Sequence, residues 1–522
     1  MSCLDVYNAV HRYGWGDLLH EQARSRWNMP AVIDGDHLYS FEQFDERVNR
    51  LAGVLRSRGV GLGDRVLWLG QNSFRVLEAL LACARLGAIF CPANWRWSVE
   101  EIRFALEDFD PKVVFWQEAE VGTSMRAARE GFHPDANWIC HDGCDGEASY
   151  EAVLAEADPA ADFAPVEVDT PLLGIYTAGF SGRPGAALLS HEALMIMAWQ
   201  GMQAQAINEN CGYLVSGPMF HIGVLMGSLG TFLAGGRNVF VARVEAVGVL
   251  SKIDEHKVTH AFVPAPTVVS IARSGADPRY DVSSLFAKPD MSDYFIPLVM
   301  PAHAPARVRL GGYGQTEIGG LTSVLWMGGT GAGRSIPFVQ FKIADDEGRE
   351  LPRGETGEIL ARGPIVMCGY WNRPEENARR VVDGWHRTND LGRRNEDGSL
   401  VFVGPKTTMI KTGIENVYPA EVETCLRGHE GVADVAVIGV PDPVWDQNVK
   451  AVIVRKPGSE HSEASFIDHC RERLAGYAQS ITEWLSFPYQ LDGGHSAVVA
   501  ANAGATTSPP AAAAARTMLC HA

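Results

Sequence analysis

At 522 residues the chain is too long for a single hydrophobic core, and its 46% hydrophobic and 21% charged residues exclude a largely disordered polymer. A net charge of -18, with no run of lysines and arginines, lacks the electrostatic footprint of a nucleic-acid binder. Ten cysteines spread over this length are no disulfide framework and suit a cytoplasmic protein.

The first residues include Asp5, His11 and Arg12 without a long apolar run, so no secretory signal is expected. Residues 41–59 are predicted as an amphipathic helix, because Phe44, Val48, Leu51 and Leu55 recur at threes and fours. Ser40 stands just before it and three residues ahead of Gln43, which suits a capping box, and Gly59 suits a stop. A buried strand over 64–69, a helix over 73–86 and a strand over 88–92 follow. The most hydrophobic stretch, 76–95, contains Glu78 and Arg85, and reads as a buried helix running into a strand rather than a membrane span. Strands recur at 113–115, 172–176, 238–241 and 260–263, and their alternation with helices argues for parallel sheets. Cys140 and Cys144 flank His141 in C-H-D-G-C; no second pair stands at zinc spacing, so this reads as a loop with incidental thiols.

The style changes near Gly333. From 341 to 366 residues alternate in twos around turn signals at 345–348 and 352–355, which predicts antiparallel hairpins. A second unit begins near Gly404, with a strand over 433–440 and a helix over 463–474. The expected fold is α/β. A large N-terminal domain over 1–403 has parallel sheets flanked by helices plus a β-rich subdomain, and a small mobile α+β domain spans 404–490. Residues 491–522, with alanines from Ala511 to Ala515, form a low-complexity tail expected to be disordered.

The apolar run 171–175 leads into Tyr176-Thr-Ala-Gly-Phe-Ser-Gly-Arg-Pro-Gly185. Glycines Gly179 and Gly182 let backbone N–H groups approach a polyphosphate, and Thr177 and Ser181 add donors. The stretch does not match the GxxxxGK[ST] loop, and alone it reads equally as a Gly-rich turn after a buried strand. It is followed by Gly311-Gly-Tyr-Gly-Gln-Thr-Glu317, by Trp385-His-Arg-Thr-Asn-Asp-Leu-Gly392, and by Lys411-Thr-Gly-Ile-Glu-Asn-Val-Tyr-Pro-Ala-Glu-Val-Glu423. Upstream stand S-F-E-Q-F-D-E-R-V-N-R-L-A at 40–52 and G-V-G-L-G-D-R-V at 59–66. In this order and at these distances the set resembles the adenylate-forming (AMP-binding) superfamily, of the acyl-CoA synthetase type, over about residues 15–477.

The resemblance implies that a carboxylate attacks the α-phosphate of ATP, that acyl-adenylate and pyrophosphate form, and that a thiol then takes the acyl group after the small domain swings. ATP, Mg²⁺ and coenzyme A are the implied cofactors. By resemblance Thr177, Gly179, Ser181 and Gly182 wrap the β- and γ-phosphates, Glu317 binds Mg²⁺, and Thr316 donates to a phosphate oxygen. Tyr313, beside Gly314, stacks on adenine, and Asp390 accepts both ribose hydroxyls. Lys411 and Gly413 complete the cofactor-binding set, Gly413 where the family lines its pantetheine tunnel. Gly217-Pro-Met-Phe-His221-Ile-Gly resembles the His motif that gates the acyl pocket, so His221 joins Thr177, Thr316 and Glu317 as the implied catalytic set. Taken alone, His221 reads equally as a histidine packed on an apolar helix. Nothing acidic follows Phe220 to meet an amine, which points to an apolar acid, whether fatty, alicyclic or aromatic. The expected partners are that acid and coenzyme A, with a homodimer admitted and nucleic acid and transmembrane segments not.

The sequence also departs from the family pattern. Ala178 and Phe180 replace hydroxyl residues, and Gly185 stands where the loop lysine belongs. Asn389 replaces a glycine, Pro405 an arginine that reaches the ribose, Thr408 the hinge residue and Ile414 a second tunnel glycine. The G-G-A-P-L turn is not found between Ser284 and Gly311, nor the late P-x-T-x-x-G-K, and no lysine follows Lys456. The end therefore reads as an altered reading frame or a truncation. Losing one donor at a charge-developing site can cost roughly 10²–10³ in rate, so depressed adenylation is expected. The alternative is a degenerate family member that binds nucleotide or acyl groups without turnover.

Overall fold

The structure is a computed structural model. It describes residues 11–130, 137–143, 149–157, 162–177, 184–263, 265–274, 279–285, 310–320, 324–327, 332–406, 409–412, 415–417, 419–442, 445–456, 458–474 and 483–487. The chain divides into two compact units, the larger within 1–95, 102–177 and 184–407, the smaller within 96–101, 178–183 and 408–522.

In the larger unit the capping box forms as predicted. The Ser40 hydroxyl accepts from the Gln43 N–H at 3.3 Å, and the Gln43 side chain accepts from the Ser40 N–H at 2.9 Å. The helix it opens, Phe41–Ser57, buries Phe44, Val48, Leu51 and Leu55 completely. Truncating a buried phenylalanine such as Phe44 to alanine costs on the order of 3–5 kcal/mol. The neighbouring helix Phe74–Leu86 starts at Ser73 and ends at Gly87, whose φ of +66° is the left-handed backbone that glycine adopts freely. Glu78 is wholly buried in this apolar helix because Arg47 Nε and the Tyr150 hydroxyl each donate to it at 2.8 Å. Among the described residues no helix is long and apolar enough to cross a membrane.

One seven-stranded sheet runs in the order Gly369–Tyr370, Gly185–Ser190, Pro171–Thr177, Ile89–Ala93, Arg65–Leu69, Val113–Trp116, Asn137–Cys140. The last five strands pair in parallel, as the strand–helix alternation predicts. The first two join antiparallel, with Thr177 opposite Gly185 and Ala187 opposite Tyr370. That antiparallel margin brings the start of the Gly-rich loop and Tyr370 to one end of the sheet.

A second sheet has five strands, His260–Ala261, Gly212–Val215, Arg237–Phe240, Pro30–Asp34 and His37–Ser40. Here the strand predicted over 260–263 shrinks to two residues. The third sheet is antiparallel and contains the predicted hairpin, Gln340–Ala344 against Thr356–Arg362. It also carries Leu310–Tyr313 and Trp385–Arg394, the strands that deliver the candidate site. One apolar core joins these layers, from Phe44 and Leu229 through to Tyr313 and Ile359. Cys140, expected as an incidental thiol, is disulfide-bonded.

The smaller unit is built on a long antiparallel pair, Val432–Asp442 with Asp446–Arg455. Ile410–Thr412 pairs with Glu415–Val417, and Glu483–Phe487 adds in parallel to Asp446–Arg455. The helices Pro419–Arg427 and Glu463–Arg473 contribute Val422, Leu426, Phe466 and Cys470 to a core shared with Val435, Val437 and Ile453. Thr408, Ile414 and the tail 491–522 lie outside the described residues.

Candidate active site

Glu317 sits in a single 3₁₀ turn, Thr316–Ile318, just after the strand Leu310–Tyr313. Gly319 and Gly320 close the turn at φ +82° and +97°. A side chain at Gly319 would collide with Ile365, so both the backbone and the space require glycine there. The Met367 N–H donates to the Glu317 carbonyl at 2.9 Å.

Glu317 as a whole residue is 4% exposed. Its Oε1 accepts two hydroxyl donors, Thr177 Oγ1 at 2.9 Å and Tyr370 Oη at 2.7 Å. Burial, then the charge of Glu317, push the Tyr370 hydroxyl well above the ordinary phenol range, so it stays a donor. Among the described residues no cation forms an ion pair with Glu317. The charge of the Arg380 guanidinium acts on Glu317 without direct contact, and a hard cation on the uncapped oxygen further offsets the cost of burying this carboxylate. Magnesium held together with phosphates needs only one or two carboxylates. That suits a place where, among the described residues, no cluster of three or more ligating side chains exists.

The second carboxylate, Asp390, lies in the strand Trp385–Arg394. Its Oδ2 also accepts two donors, Tyr313 Oη and Gln315 Nε2, each at 2.9 Å. Gln315 reaches on to the Thr388 carbonyl at 3.1 Å, and the Thr388 hydroxyl donates to the Ile359 carbonyl at 2.7 Å. Asn389 takes φ +61°, which explains the residue found in the glycine's place, since asparagine tolerates left-handed backbone better than other side chains. Its N–H donates to Glu358 at 3.2 Å, and Glu358 in turn accepts from Arg387 at 2.7 Å and Lys406 at 3.1 Å. Burial pushes the Asp390 carboxyl up to about 6, against the opposing hydrogen bond from Tyr313; the charge of Glu317 adds to the rise.

The Tyr313 ring is buried and stacks on Phe402, with centroids 5.2 Å apart and planes at 20°. Gly314 links its strand to the turn of Thr316, whose side chain is half-buried. His221 occupies the N-cap position of the helix Ile222–Ala234 without a capping hydrogen bond from its side chain, and its ring lies 4.6 Å from that of Phe220. A Cβ at Gly320 would stand 3.6 Å from Ile222 and 3.9 Å from Met197, so an apolar helix start borders the turn that carries Glu317.

The structure thus brings together Thr177, Tyr313, Gly314, Thr316, Glu317 and Asp390. Lys411 lies in the smaller unit, exposed, its N–H donating to Gln447 at 2.9 Å. Gly179, Ser181, Gly182 and Gly413 lie outside the described residues. Of the departures, Pro405 is the cross-strand partner of Asp390, and a Cβ at Gly185 would stand 3.1 Å from the Tyr370 ring. Tyr370, Gln315, Thr388 and Glu358 were not singled out from sequence. Gln315 had a signal, since Tyr313, Gln315 and Glu317 alternate in one motif; Tyr370, 53 residues from its partner, had none.

The AMP-binding enzyme family matches residues 19–371, and the AMP-binding enzyme C-terminal domain matches 421–483. A feruloyl-CoA synthase from Amycolatopsis sp is 34% identical over 482 residues, covering 90% of this chain and 94% of that one. An indoleacetate–CoA ligase from Aromatoleum aromaticum is 34% identical over 452 residues, covering 84% and 87%. In fold, a double mutant of o-succinylbenzoate CoA synthetase from Bacillus subtilis superposes with a TM-score of 0.75 at 24% identity, covering 90% of this chain and 94% of that one. With two domain matches in the expected order and relatives spanning most of its length, the chain belongs to the AMP-binding enzyme family, as an AMP-forming acid–thiol ligase of the acyl-CoA class.

Proposed function

We propose that this ligase activates an apolar carboxylic acid, aromatic in the first instance, to its acyl-adenylate and then to its coenzyme A thioester. The observation that carries the reading is the stretch 313–317. At one end it caps Asp390 through Tyr313 and Gln315; at the other it presents Glu317 beside Thr177. A nucleotide laid along it meets a ribose carboxylate and a triphosphate carboxylate in turn.

In this reading Glu317 would hold Mg²⁺ through its uncapped oxygen, and the ion would supply charge neutralisation for the phosphates. Asp390 accepts the ribose hydroxyls through Oδ1, Tyr313 borders adenine, and Thr316 donates to a phosphate oxygen. Gly179, Ser181 and Gly182 offer backbone and hydroxyl donors to the β- and γ-phosphates. His221 and Ile222 wall the acid, whose carboxylate oxygen bonds to the α-phosphorus as the bond to the β-phosphate oxygen breaks and pyrophosphate leaves. The thiol sulfur of coenzyme A then bonds to the acyl carbon and AMP leaves, a step for which Lys411 and Gly413 are the proposed thiol-substrate residues. Two relatives named for aromatic-ring acids favour that class over fatty acids. Because Gly185 brings no charge to the loop, adenylation is the slow half-reaction.

Isotope exchange between pyrophosphate and ATP, run with a panel of aromatic and fatty acids, tests the first half. Exchange that depends on an aromatic acid is expected. ATP binding without exchange for any acid would contradict adenylation; thioester formed only from a supplied synthetic acyl-adenylate would restrict the protein to the second half-reaction.

A further inference from the structure

We propose that Tyr370 is a positioning residue that fixes the carboxylate of Glu317, a role that rests on reading Glu317 as the magnesium ligand. One short segment grips Glu317 twice. The Met367 N–H holds its backbone carbonyl at 2.9 Å, and the Tyr370 hydroxyl holds its Oε1 at 2.7 Å. With the Thr177 hydroxyl on the same oxygen at 2.9 Å, Oε1 is saturated by two O–H donors and the carboxylate plane is set. Oε2 is the oxygen left for a cation.

Tyr370 is itself held firmly. Its N–H donates to Asn377 Oδ1 at 2.7 Å, and Asn377 Nδ2 donates back to its carbonyl at 2.9 Å. The strand Gly369–Tyr370 pairs with Gly185–Ser190, and the ring lies against Gly185. A phenol anchored at both backbone groups and along its ring keeps one hydroxyl direction. A carboxylate that loses such an outer partner regains rotamer freedom, and outer-shell losses at metal sites typically cost about 10–100-fold in metal affinity.

The test is calorimetric. The affinity for a non-hydrolysable ATP analogue is measured in EDTA and in excess Mg²⁺; the ratio of the two is the metal's contribution. Wild type should bind more tightly with Mg²⁺, and Glu317→Gln should lose that gain. Tyr370→Phe keeps the ring against Gly185 and removes only the hydroxyl. It should lower the ratio on the order of 10-fold, with the EDTA affinity unchanged. A wild-type ratio in Tyr370→Phe, whatever its melting temperature, overturns the proposal and leaves Glu317 as metal ligand. Equal ratios for wild type and Glu317→Gln remove the metal role of Glu317, and the proposal with it.

Discussion

Glu317 and Asp390 are built to one plan and differ in surroundings. Each is a buried or largely buried carboxylate with two donors on one oxygen. Glu317 rides on a one-turn 3₁₀ helix closed by glycines, and its donors come from the margin of the seven-stranded sheet. Asp390 sits inside an antiparallel strand, and its donors come from the strand and loop preceding that turn. In the proposed function the difference suits them to different tasks. A carboxylate capped by hydroxyls on one oxygen, with no cation in direct contact among the described residues, suits a metal ion. A carboxylate capped by a phenol and an amide, and ionised at neutral pH although its carboxyl is raised to about 6, suits accepting hydrogen bonds from the hydroxyls of a sugar.

The sharpest way to break this comparison is to neutralise Asp390. Hydrogen bonds to a charged group contribute about 1.5–3 kcal/mol, so Asp390→Asn should weaken nucleotide binding roughly 10–100-fold. Calorimetry should find the same loss with and without Mg²⁺, whereas a loss confined to Mg²⁺ would mean that the two carboxylates share one role.

A second effect follows from the Asp390 carboxyl lying near 6 rather than at its ordinary 3.8. Ribose hydroxyls need the ionised form, so nucleotide affinity should fall as pH drops through about 6 and level off above it. Because phosphates also titrate with a second pKa of about 6, wild type is compared with Asp390→Asn, and their affinities should converge at low pH. Stability has the opposite sign. The folded state binds the extra proton between 3.8 and about 6, so this contribution is present below 3.8 and lost as pH rises through about 6.

The smallest effect concerns Tyr313. Tyr313→Phe removes one donor that pulls the Asp390 carboxyl down, leaving Gln315 as the other. The midpoint of the pH profile should move upward, with nucleotide affinity at neutral pH changing only several-fold, the scale of one hydrogen bond at about 1 kcal/mol. A downward shift would show that Tyr313 does not stabilise the ionised carboxylate.

Much of this architecture was legible in the sequence. The helix from Phe41 followed from its period and its Ser40–Gln43 box, because helix periodicity and capping are local properties. The hairpin within 341–366 followed from alternation and turn residues. Glu317 and Asp390 were legible because each stands in a distinctive motif. Other features depend on contacts that no local pattern encodes. Tyr370 reaches Glu317 through a two-residue strand at a sheet margin, too short to leave a periodic trace. The antiparallel pairing of Gly185–Ser190 with Pro171–Thr177 interrupts a parallel sheet, which strand–helix alternation alone does not foresee. The shift at Asp390 arises from burial, with the charge of Glu317 adding to it and Tyr313, 77 residues away, opposing it. Asn389 lies between these cases: its replacement of glycine was visible, and its φ of +61° supplies the reason.

The central claim is that these two carboxylates serve one nucleotide on which an apolar acid is activated. Mass spectrometry of the purified protein incubated with ATP, Mg²⁺, coenzyme A and a panel of aromatic and fatty acids tests it most directly. The account predicts AMP and a coenzyme A thioester with at least one aromatic acid, both abolished by Glu317→Gln and reduced by Asp390→Asn. Thioester yield unchanged in both variants, or neither AMP nor thioester from any acid, would contradict it.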